Sequence, residues 1–161
     1  LAIYLLFFQI SDVATFMGLG THFGLILVYL GGSIGFNSWL IKGFMDTISP
    51  SLDEAAKVDG ASEYQIFRKI IAPLARPILV VIFVITFIGI YSDFILAAIF
   101  LKDKNLWTVA VGINTVFVDD FNADWGVIAA SSVIAATPIA VLFIFFQKQI
   151  TGGLTAGSVK G

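Results

Sequence analysis

The sequence contains no cysteine, only one histidine and few charged residues. Without cysteine, neither a disulfide nor a thiolate-ligated metal site can form. His22 has no second histidine with which to build a metal site or a proton relay, so we predict no metal and no cofactor. Charged residues make up 12% of the chain, about half of the usual fraction in soluble domains, whereas 58% of the residues are hydrophobic and the mean hydropathy is +0.98. These values predict a membrane protein.

Motifs for ATP hydrolysis and for catalysis are also missing. No G-K-[ST] occurs in the sequence, so it contains no Walker A loop. Gly18 and Gly20 are followed by Gly24, which is not the dinucleotide-binding spacing, and no Ser-His-Asp set can be assembled convincingly. The formal net charge of -2 argues nothing about nucleic acid, and no basic stripe suggests nucleic-acid binding, so we predict no nucleic-acid partner. The sequence therefore predicts a protein that is not an enzyme, and if ATP powers it, a separate chain hydrolyses the ATP.

Three apolar stretches are long enough to cross a bilayer as helices, which takes about 20 residues. They cover residues 21–42, 77–101 and 124–147, and they predict an all-α fold, a polytopic transmembrane helix bundle. Residues 1–8 are apolar but too short to cross. Residues 9–20 and 102–123 are predicted as loops. Because the chain starts with Leu1 inside this short apolar run, we expect it to be a fragment that begins inside a helix.

The basic residues predict the orientation of the spans, since Lys and Arg in short loops stay on the cytoplasmic side. Seven of the nine basic residues flank or lie in residues 50–76 or lie in the tail, residues 148–161: Lys42, Lys57, Arg68, Lys69, Arg76, Lys148 and Lys160. Lys102 and Lys104 lie in the loop at the other side. We therefore predict that the central loop and the tail are cytoplasmic and that the loop 102–123 is external.

The central loop carries two signals for a helix start. Ser51 with Glu54 and Ser62 with Gln65 both have the spacing of a capping box, in which two side chains satisfy backbone N–H groups at a helix N-terminus. Gly60 lies between them and can adopt the left-handed conformation that ends a helix. The loop is thus predicted to form two short helices joined at Gly60. One face of the second helix is apolar, with Tyr64, Phe67, Ile70 and Ile71.

This loop resembles the EAA loop of the membrane subunits of binding-protein-dependent ABC importers, whose pattern is E-A-A-x3-G-x9-I-x-L-P. Six positions match in register: Glu54, Ala55, Ala56, Gly60, Ile70 and Pro73. Ala72 stands where the pattern prefers Leu. The alternative is a chance amphipathic helical hairpin, which the number of matched positions disfavours.

Other segments are similar to the carbohydrate branch of these importers, specifically to the smaller membrane subunit of the maltose type. The similar segments are residues 29–32 (YLGG), 39–43 (WLIKG), 106–112 (LWTVAVG) and the ending 154–161 (LTAGSVKG). The ending is the most specific of them, because the EAA loop alone is common to many importers.

The resemblance implies a MetI-like transmembrane domain in a type I importer located in the bacterial or archaeal cytoplasmic membrane. Its partners would be a second membrane subunit, an ABC ATPase dimer and an extracytoplasmic sugar-binding protein, which part of residues 106–124 would contact. The ATPase-coupling residues would be Glu54, Ala55, Ala56, Asp59, Gly60, Ile70 and Pro73, and the tail residues at the ATPase interface would be Leu154, Thr155, Gly157 and Lys160. No sugar ligand is assigned, since the larger membrane partner holds most of the sugar in maltose-type relatives.

Two polar residues are predicted inside the spans. Asp93 lies in the second predicted span, where a carboxylate costs about 2.5–3.5 kcal/mol at the centre of the membrane. It either lines a translocation path or forms an interfacial hydrogen bond with a neighbouring helix, and its position nearer the outer end favours the second role. Asn37, in the first span, is predicted to hydrogen-bond another helix.

A second function class is an ion-gradient-driven secondary transporter or a channel subunit. Such a protein is expected to have paired intramembrane carboxylates or helices broken near the midplane, and Asp93 alone supports it weakly. A membrane-embedded enzyme is a third class, but the residues offer few catalytic sets. An ATPase encoded beside the gene would favour the importer.

Overall fold

The computed structural model describes residues 2–118 and 125–155, and within these ranges all regular secondary structure is helical. The helices are α1 (Ala2–Val13), α2 (His22–Met45), α3 (Pro50–Val58), α4 (Glu63–Ile66), α5 (Ala72–Tyr91), α6 (Ile95–Phe100), α7 (Val109–Val118) and α8 (Trp125–Thr155). Single 3₁₀ turns occur at Thr15–Met17 and Lys104–Leu106, and a π-helical turn occurs at Phe67–Ile71. The predicted all-α fold is confirmed.

Three continuous helical stretches are long and apolar enough to cross a membrane: His22–Met45, Glu63–Tyr91 and Trp125–Gln149. The second contains α4, the π-helical turn and α5, and it begins well before residue 77, where the sequence placed its start. Pro73 and Pro77 lie within α5 and do not begin it. The π-helical turn directly precedes Ala72, and such local adjustments let a helix continue through prolines.

The second stretch also ends earlier than predicted, at Tyr91 instead of residue 101. Ser92 and Asp93 are outside any helix, and a side-chain oxygen of Asp93 accepts a hydrogen bond from the Ile95 N–H at 3.1 Å, at the start of α6. The region expected to be a polar loop contains a further helix, α7. The apolar composition of residues 109–118 favours this helix, and the Thr108 hydroxyl accepts from the Val111 N–H at its start.

By their contacts, the residues form two compact units, and each of the three long helical stretches contributes to both. The first unit contains residues 1–34 and 86–142. Its core consists of six buried residues, Phe7, Leu25, Ala97, Phe100, Leu101 and Val111. The rings of Phe7 and Phe100 meet edge to face with their centroids 5.2 Å apart. The short helices α1 and α6 are therefore held by aromatic packing in this core.

Hydrogen bonds distant in sequence also hold the first unit together. The Gly20 N–H donates to the Phe100 carbonyl at 2.9 Å, and His22 Nε2 lies 2.8 Å from the Leu106 carbonyl. Residues 9–20 were predicted as a loop, but α1 continues to Val13. The Ser11 hydroxyl donates to the Phe7 carbonyl one turn earlier and accepts from the Leu19 N–H, so that the residue bridges the helix and the loop after it.

The second unit contains residues 35–85 and 143–161. Its buried side chains among the described residues are Ala56, Ile66, Ala75, Ile82 and Val84. Within it, the rings of Phe83 and Phe146 meet edge to face with centroids 5.8 Å apart. This unit carries the central loop, which forms the helical hairpin described next.

Candidate functional site

The central hairpin begins at α3, and its start differs from the prediction. Pro50 is the first helical residue and Ser49 is the N-cap, so Ser51 already lies in the first turn. The predicted capping box of Ser51 with Glu54 is therefore wrong, because a proline at the first helical position moves the start of the helix forward. The Ser51 hydroxyl instead lies 2.8 Å from the Ser49 hydroxyl.

The turn after α3 is the one predicted at Gly60. Gly60 has a φ of 78°, in the left-handed region. The Gly60 N–H donates to the Lys57 carbonyl and the Ala61 N–H to the Ala56 carbonyl, both at 3.0 Å. This pair of bonds is the Schellman motif, which satisfies carbonyl groups at the end of a helix. The chain thus leaves α3 through a fixed turn and not through a flexible linker.

The start of α4 confirms the second predicted capping box. The Ser62 N–H donates to Gln65 Oε1 at 2.8 Å, and the Gln65 N–H donates to the Ser62 hydroxyl at 3.4 Å. Both bonds close over the first turn of α4. Only four residues lie between the C-terminus of α3 and the N-terminus of α4, and both ends are capped.

Lys57 connects the two helices of the hairpin. Its ammonium nitrogen lies 2.9 Å from a carboxylate oxygen of Asp53 on α3 and 3.0 Å from one of Glu63 on α4. The hydrogen bonds to these carboxylates, first that to Asp53, raise the pKa of Lys57 above its ordinary value. The sequence analysis did not identify this bridge. The i,i+4 spacing of Asp53 and Lys57 was a signal for half of it.

The proposed coupling residues lie in or just after this hairpin, and most of them are accessible. Glu54, Ala55, Asp59, Gly60 and Pro73 are exposed, Ile70 is half-buried and Ala56 is buried. The structure therefore brings Glu54 through Gly60 together on one capped helix and turn, while Ile70 and Pro73 belong to the helical stretch that follows.

Large apolar side chains are also exposed on the hairpin. Val58 is 87% exposed and Tyr64 is 67% exposed, and Leu52 and Phe67 are exposed as well. The sequence predicted an apolar face with Tyr64 and Phe67 that needs a partner to cover it, and both side chains are exposed, whereas Ile66 is buried, at 2%. The exposed side chains give the hairpin an apolar surface suited to a protein partner.

The predicted tail residues are described only in part. Leu154 and Thr155 belong to α8, which runs to Thr155, so the first part of the predicted tail is helical. Gly157 and Lys160 lie outside the described residues.

The polar residue Asp93 lies at the break between α5 and α6, in the first unit. Its second carboxylate oxygen accepts a hydrogen bond from the Tyr29 hydroxyl of α2 at 2.7 Å. Asp93 thus links two helical segments through hydrogen bonds. Of the two roles considered from the sequence, this contact corresponds to the interfacial hydrogen bond. Sequence reasoning missed Tyr29 because a tyrosine in an apolar span is ordinary by composition. Asn37 is half-buried within α2.

Comparison with known proteins gives a family and a set of relatives. The family model described as "Binding-protein-dependent transport system inner membrane component" matches residues 1–155. The chain is similar to proteins named maltose/maltodextrin transport system permease protein MalG: 44% identity with that of Photorhabdus laumondii, 45% with that of Vibrio vulnificus strain YJ016 and 43% with that of Escherichia coli strain K12. Each alignment covers 99% of this chain and 53% of the relative, so the chain spans about half the length of these proteins.

Proposed function

The chain belongs to the family of binding-protein-dependent transport system inner membrane components, and from this membership we propose that it is part of the permease subunit of an ATP-driven importer of maltose- or maltodextrin-like oligosaccharides. The maltose/maltodextrin permease names of relatives at 43–45% identity support the carbohydrate branch. The subunit forms half of the translocation pathway in a bacterial or archaeal cytoplasmic membrane, together with a second permease subunit.

The observation that carries this proposal is the central hairpin. Two short helices capped at Gly60 and Ser62 and joined through Lys57 form a stiff unit with an exposed apolar surface. Such a unit suits a docking element on an ATPase subunit, because movement of the partner passes to the span that follows without being absorbed by the loop. Residues 54–60 are the docking segment, and Ile70 and Pro73 belong to the connection with the span.

The resemblance to this family also gives roles to the remaining parts of the chain. The tail, with Leu154, Thr155, Gly157 and Lys160, contacts the ATPase dimer, and part of residues 106–124 contacts the extracytoplasmic sugar-binding protein. Closure of the ATPase dimer moves the docked hairpins, and the spans respond as rigid bodies that open the pathway alternately to either side.

An ion-gradient-driven transporter is less well supported. The three described apolar stretches and the break after α5 contain two carboxylates. Glu63 is paired with Lys57 in the hairpin, and the Tyr29 hydroxyl and the Ile95 N–H already occupy the oxygens of Asp93. A proton or cation pathway usually needs further ionisable groups at membrane depth.

The test is made on the full-length permease assembled with its second membrane subunit, ATPase and sugar-binding protein. Glu54→Ala removes the exposed carboxylate of the docking helix, and Gly60→Pro forbids the positive φ and removes the N–H that bonds Lys57. We expect both variants to lose the ATPase during purification or to lose maltodextrin-stimulated ATP hydrolysis in liposomes. Asp46→Ala is the matched control, because Asp46 is an exposed acid outside the hairpin. Normal ATPase binding and transport in both variants would refute the proposal.

A further inference from the structure

Three basic side chains lie on the helical connection between the central hairpin and the span that follows it. Arg68 and Lys69 are in the π-helical turn, and Arg76 is in the second turn of α5. All three side chains are exposed, and none of them forms an ion pair or a hydrogen bond with a residue in the part of the chain that the structure describes. The lysines at positions 42 and 57, in contrast, are both paired with carboxylates. The connection therefore carries three positive charges that the described residues do not neutralise.

The helical geometry places the two arginines on one side of this connection. In a regular α-helix, residues eight apart are separated by about 80° around the axis. The π-helical turn between Arg68 and Arg76 takes one residue more than an α-helical turn, since its bonds join residues five apart and not four. The eight residues thus amount to about two full turns, which puts the arginines above one another, about 11 Å apart along the axis. Lys69 adds a third charge directly beside Arg68.

The depth of these charges follows from the composition of the span Glu63–Tyr91. Residues 77–91 contain no charged side chain, so Arg76 is the last charge before the apolar part of the span. An arginine at such a position packs its apolar stem along the span and keeps the guanidinium among the lipid headgroups. Arg68 and Lys69 lie about 11 Å farther out, close to the Debye length of about 8–10 Å within which a charged membrane surface is still felt. All three side chains are therefore within the field of the headgroup layer.

Charge and position together select the partner. Each guanidinium can donate two parallel hydrogen bonds to a phosphate group, so a phosphate-bearing anion matches the two arginines. Anionic phospholipids accumulate around basic residues that lie next to a span on the cytoplasmic side, and this is the predicted side of the hairpin. The docking segment, residues 54–60, precedes the turn at Gly60, whereas the basic residues follow it and lead into the span. This position favours a lipid over a protein partner.

We propose that Arg68, Lys69 and Arg76 form a binding site for the headgroup phosphate of an anionic phospholipid in the cytoplasmic leaflet. A lipid bound there fixes the depth at which the connection leaves the membrane, because its phosphate holds charges on both sides of the π-helical turn. The inference goes beyond the proposed function, since it depends on the charges and the orientation of the span and not on the transported solute.

The experiment measures lipid binding to the full-length permease, co-purified with its partner subunits in detergent, by native mass spectrometry. The complex is titrated with phosphatidylglycerol, which is anionic, or with phosphatidylcholine, which has no net charge. We expect tighter binding of phosphatidylglycerol. Arg68→Gln and Arg76→Gln should each lower this affinity about fivefold, the contribution of one basic residue near an anionic surface, and leave phosphatidylcholine binding unchanged. Arg76→Lys keeps the charge and should retain most of the affinity.

Lys42→Gln is the matched control. It removes an exposed positive charge on the same predicted side of the membrane, but one that Asp46 already neutralises at 2.7 Å. We expect phosphatidylglycerol to bind this variant as it binds the wild type. Because neither sugar nor ATP is present, the lipid measurement does not depend on the proposed import activity.

Several results would overturn the lipid site. One is equal binding of both lipids to the wild type, and another is the same phosphatidylglycerol affinity in Arg68→Gln, Arg76→Gln and Lys42→Gln. Equal losses for both lipids would also overturn it, since charge is then not recognised. The same spectra report whether the ATPase is retained. Arginine variants that keep phosphatidylglycerol but lose the ATPase would assign the basic side chains to the protein partner instead.

Discussion

At the scale of single residues, Lys57 shows how a surface ion pair can set the geometry of a loop. Isolated exposed pairs contribute little, but this lysine contacts carboxylates on two different helices, Asp53 and Glu63. Its pKa is raised, first by the hydrogen bond to Asp53. The stabilisation from this contact is therefore fully present below the pKa of an unfolded-chain lysine, about 10.4. It is lost as the pH rises through the higher pKa that Lys57 has in the folded protein.

Lys57→Met keeps the length of the side chain and removes its charge. We expect faster amide hydrogen exchange at residues 59–62 of the full-length complex, with the same ratio to wild type at pH of about 7 and about 9, because the lysine is charged at both. Lys42→Met breaks the 2.7 Å pair with Asp46 outside the hairpin and should leave this exchange unchanged. Equal exchange in Lys57→Met and wild type would contradict the bridging role.

The Tyr29–Asp93 bond gives a second prediction at this scale. Tyr29→Phe removes only the hydroxyl that donates to Asp93 at 2.7 Å. Interhelical hydrogen bonds in membranes contribute about 1 kcal/mol, so we expect the thermal unfolding midpoint of the full-length protein in detergent to fall by a few degrees. Tyr4→Phe serves as the control, because the Tyr4 hydroxyl bonds no described residue. An identical midpoint for Tyr29→Phe and Tyr4→Phe would show that the bond is energetically neutral.

At the scale of secondary-structure elements, the hairpin depends on the conformation of Gly60. A Cβ added at Gly60 would meet no atom within 4 Å, so a substitution acts through the φ of 78° alone. Gly60→Ala should cost about 1 kcal/mol and reduce maltodextrin-stimulated ATP hydrolysis about fivefold. Gly60→Asn should retain more activity, because asparagine tolerates the left-handed region better. Equal activity of the alanine and asparagine variants would indicate that the turn can open without loss of coupling.

The elements also show how far the sequence predicts this fold. The number of spans, the turn at Gly60 and the capping box at Ser62 follow from local chemistry, and the family was predicted from six residues of the loop and confirmed. The first predicted capping box was wrong because α3 begins at Pro50 with Ser49 as its N-cap, which places Ser51 inside the first turn.

Other features depend on contacts that a sequence does not display. The break at Ser92 and Asp93 is bonded to Tyr29, 64 residues earlier, and hydropathy alone extends the span across it. The candidate site was thus predictable where neighbouring residues determine it, and its Lys57 bridge was not.

At the scale of the whole molecule, the spans leave most of their surface uncovered by the chain itself. In the apolar windows of His22–Met45 and Glu63–Tyr91, 17% of the residues are buried, and in that of Trp125–Gln149 only 6%. Lipid covers apolar side chains without a penalty, so exposed leucine and isoleucine do not indicate a partner. Exposed small residues indicate a helix partner, because they let another helix approach closely. On α8 the exposed Ala129 and Ala140 lie on one face, eleven residues apart.

This face of α8 is therefore expected to pack against another helix of the assembled permease. Ala129→Leu and Ala140→Leu should each lower the yield of the co-purified complex about tenfold, since overpacking costs about 1–3 kcal/mol. Ile134→Phe enlarges an exposed residue on a different side of the same helix and is the control that should assemble normally. If the alanine variants assemble as well as Ile134→Phe, lipid covers the small-residue face, and the contacts between membrane subunits must be sought on the other two spans.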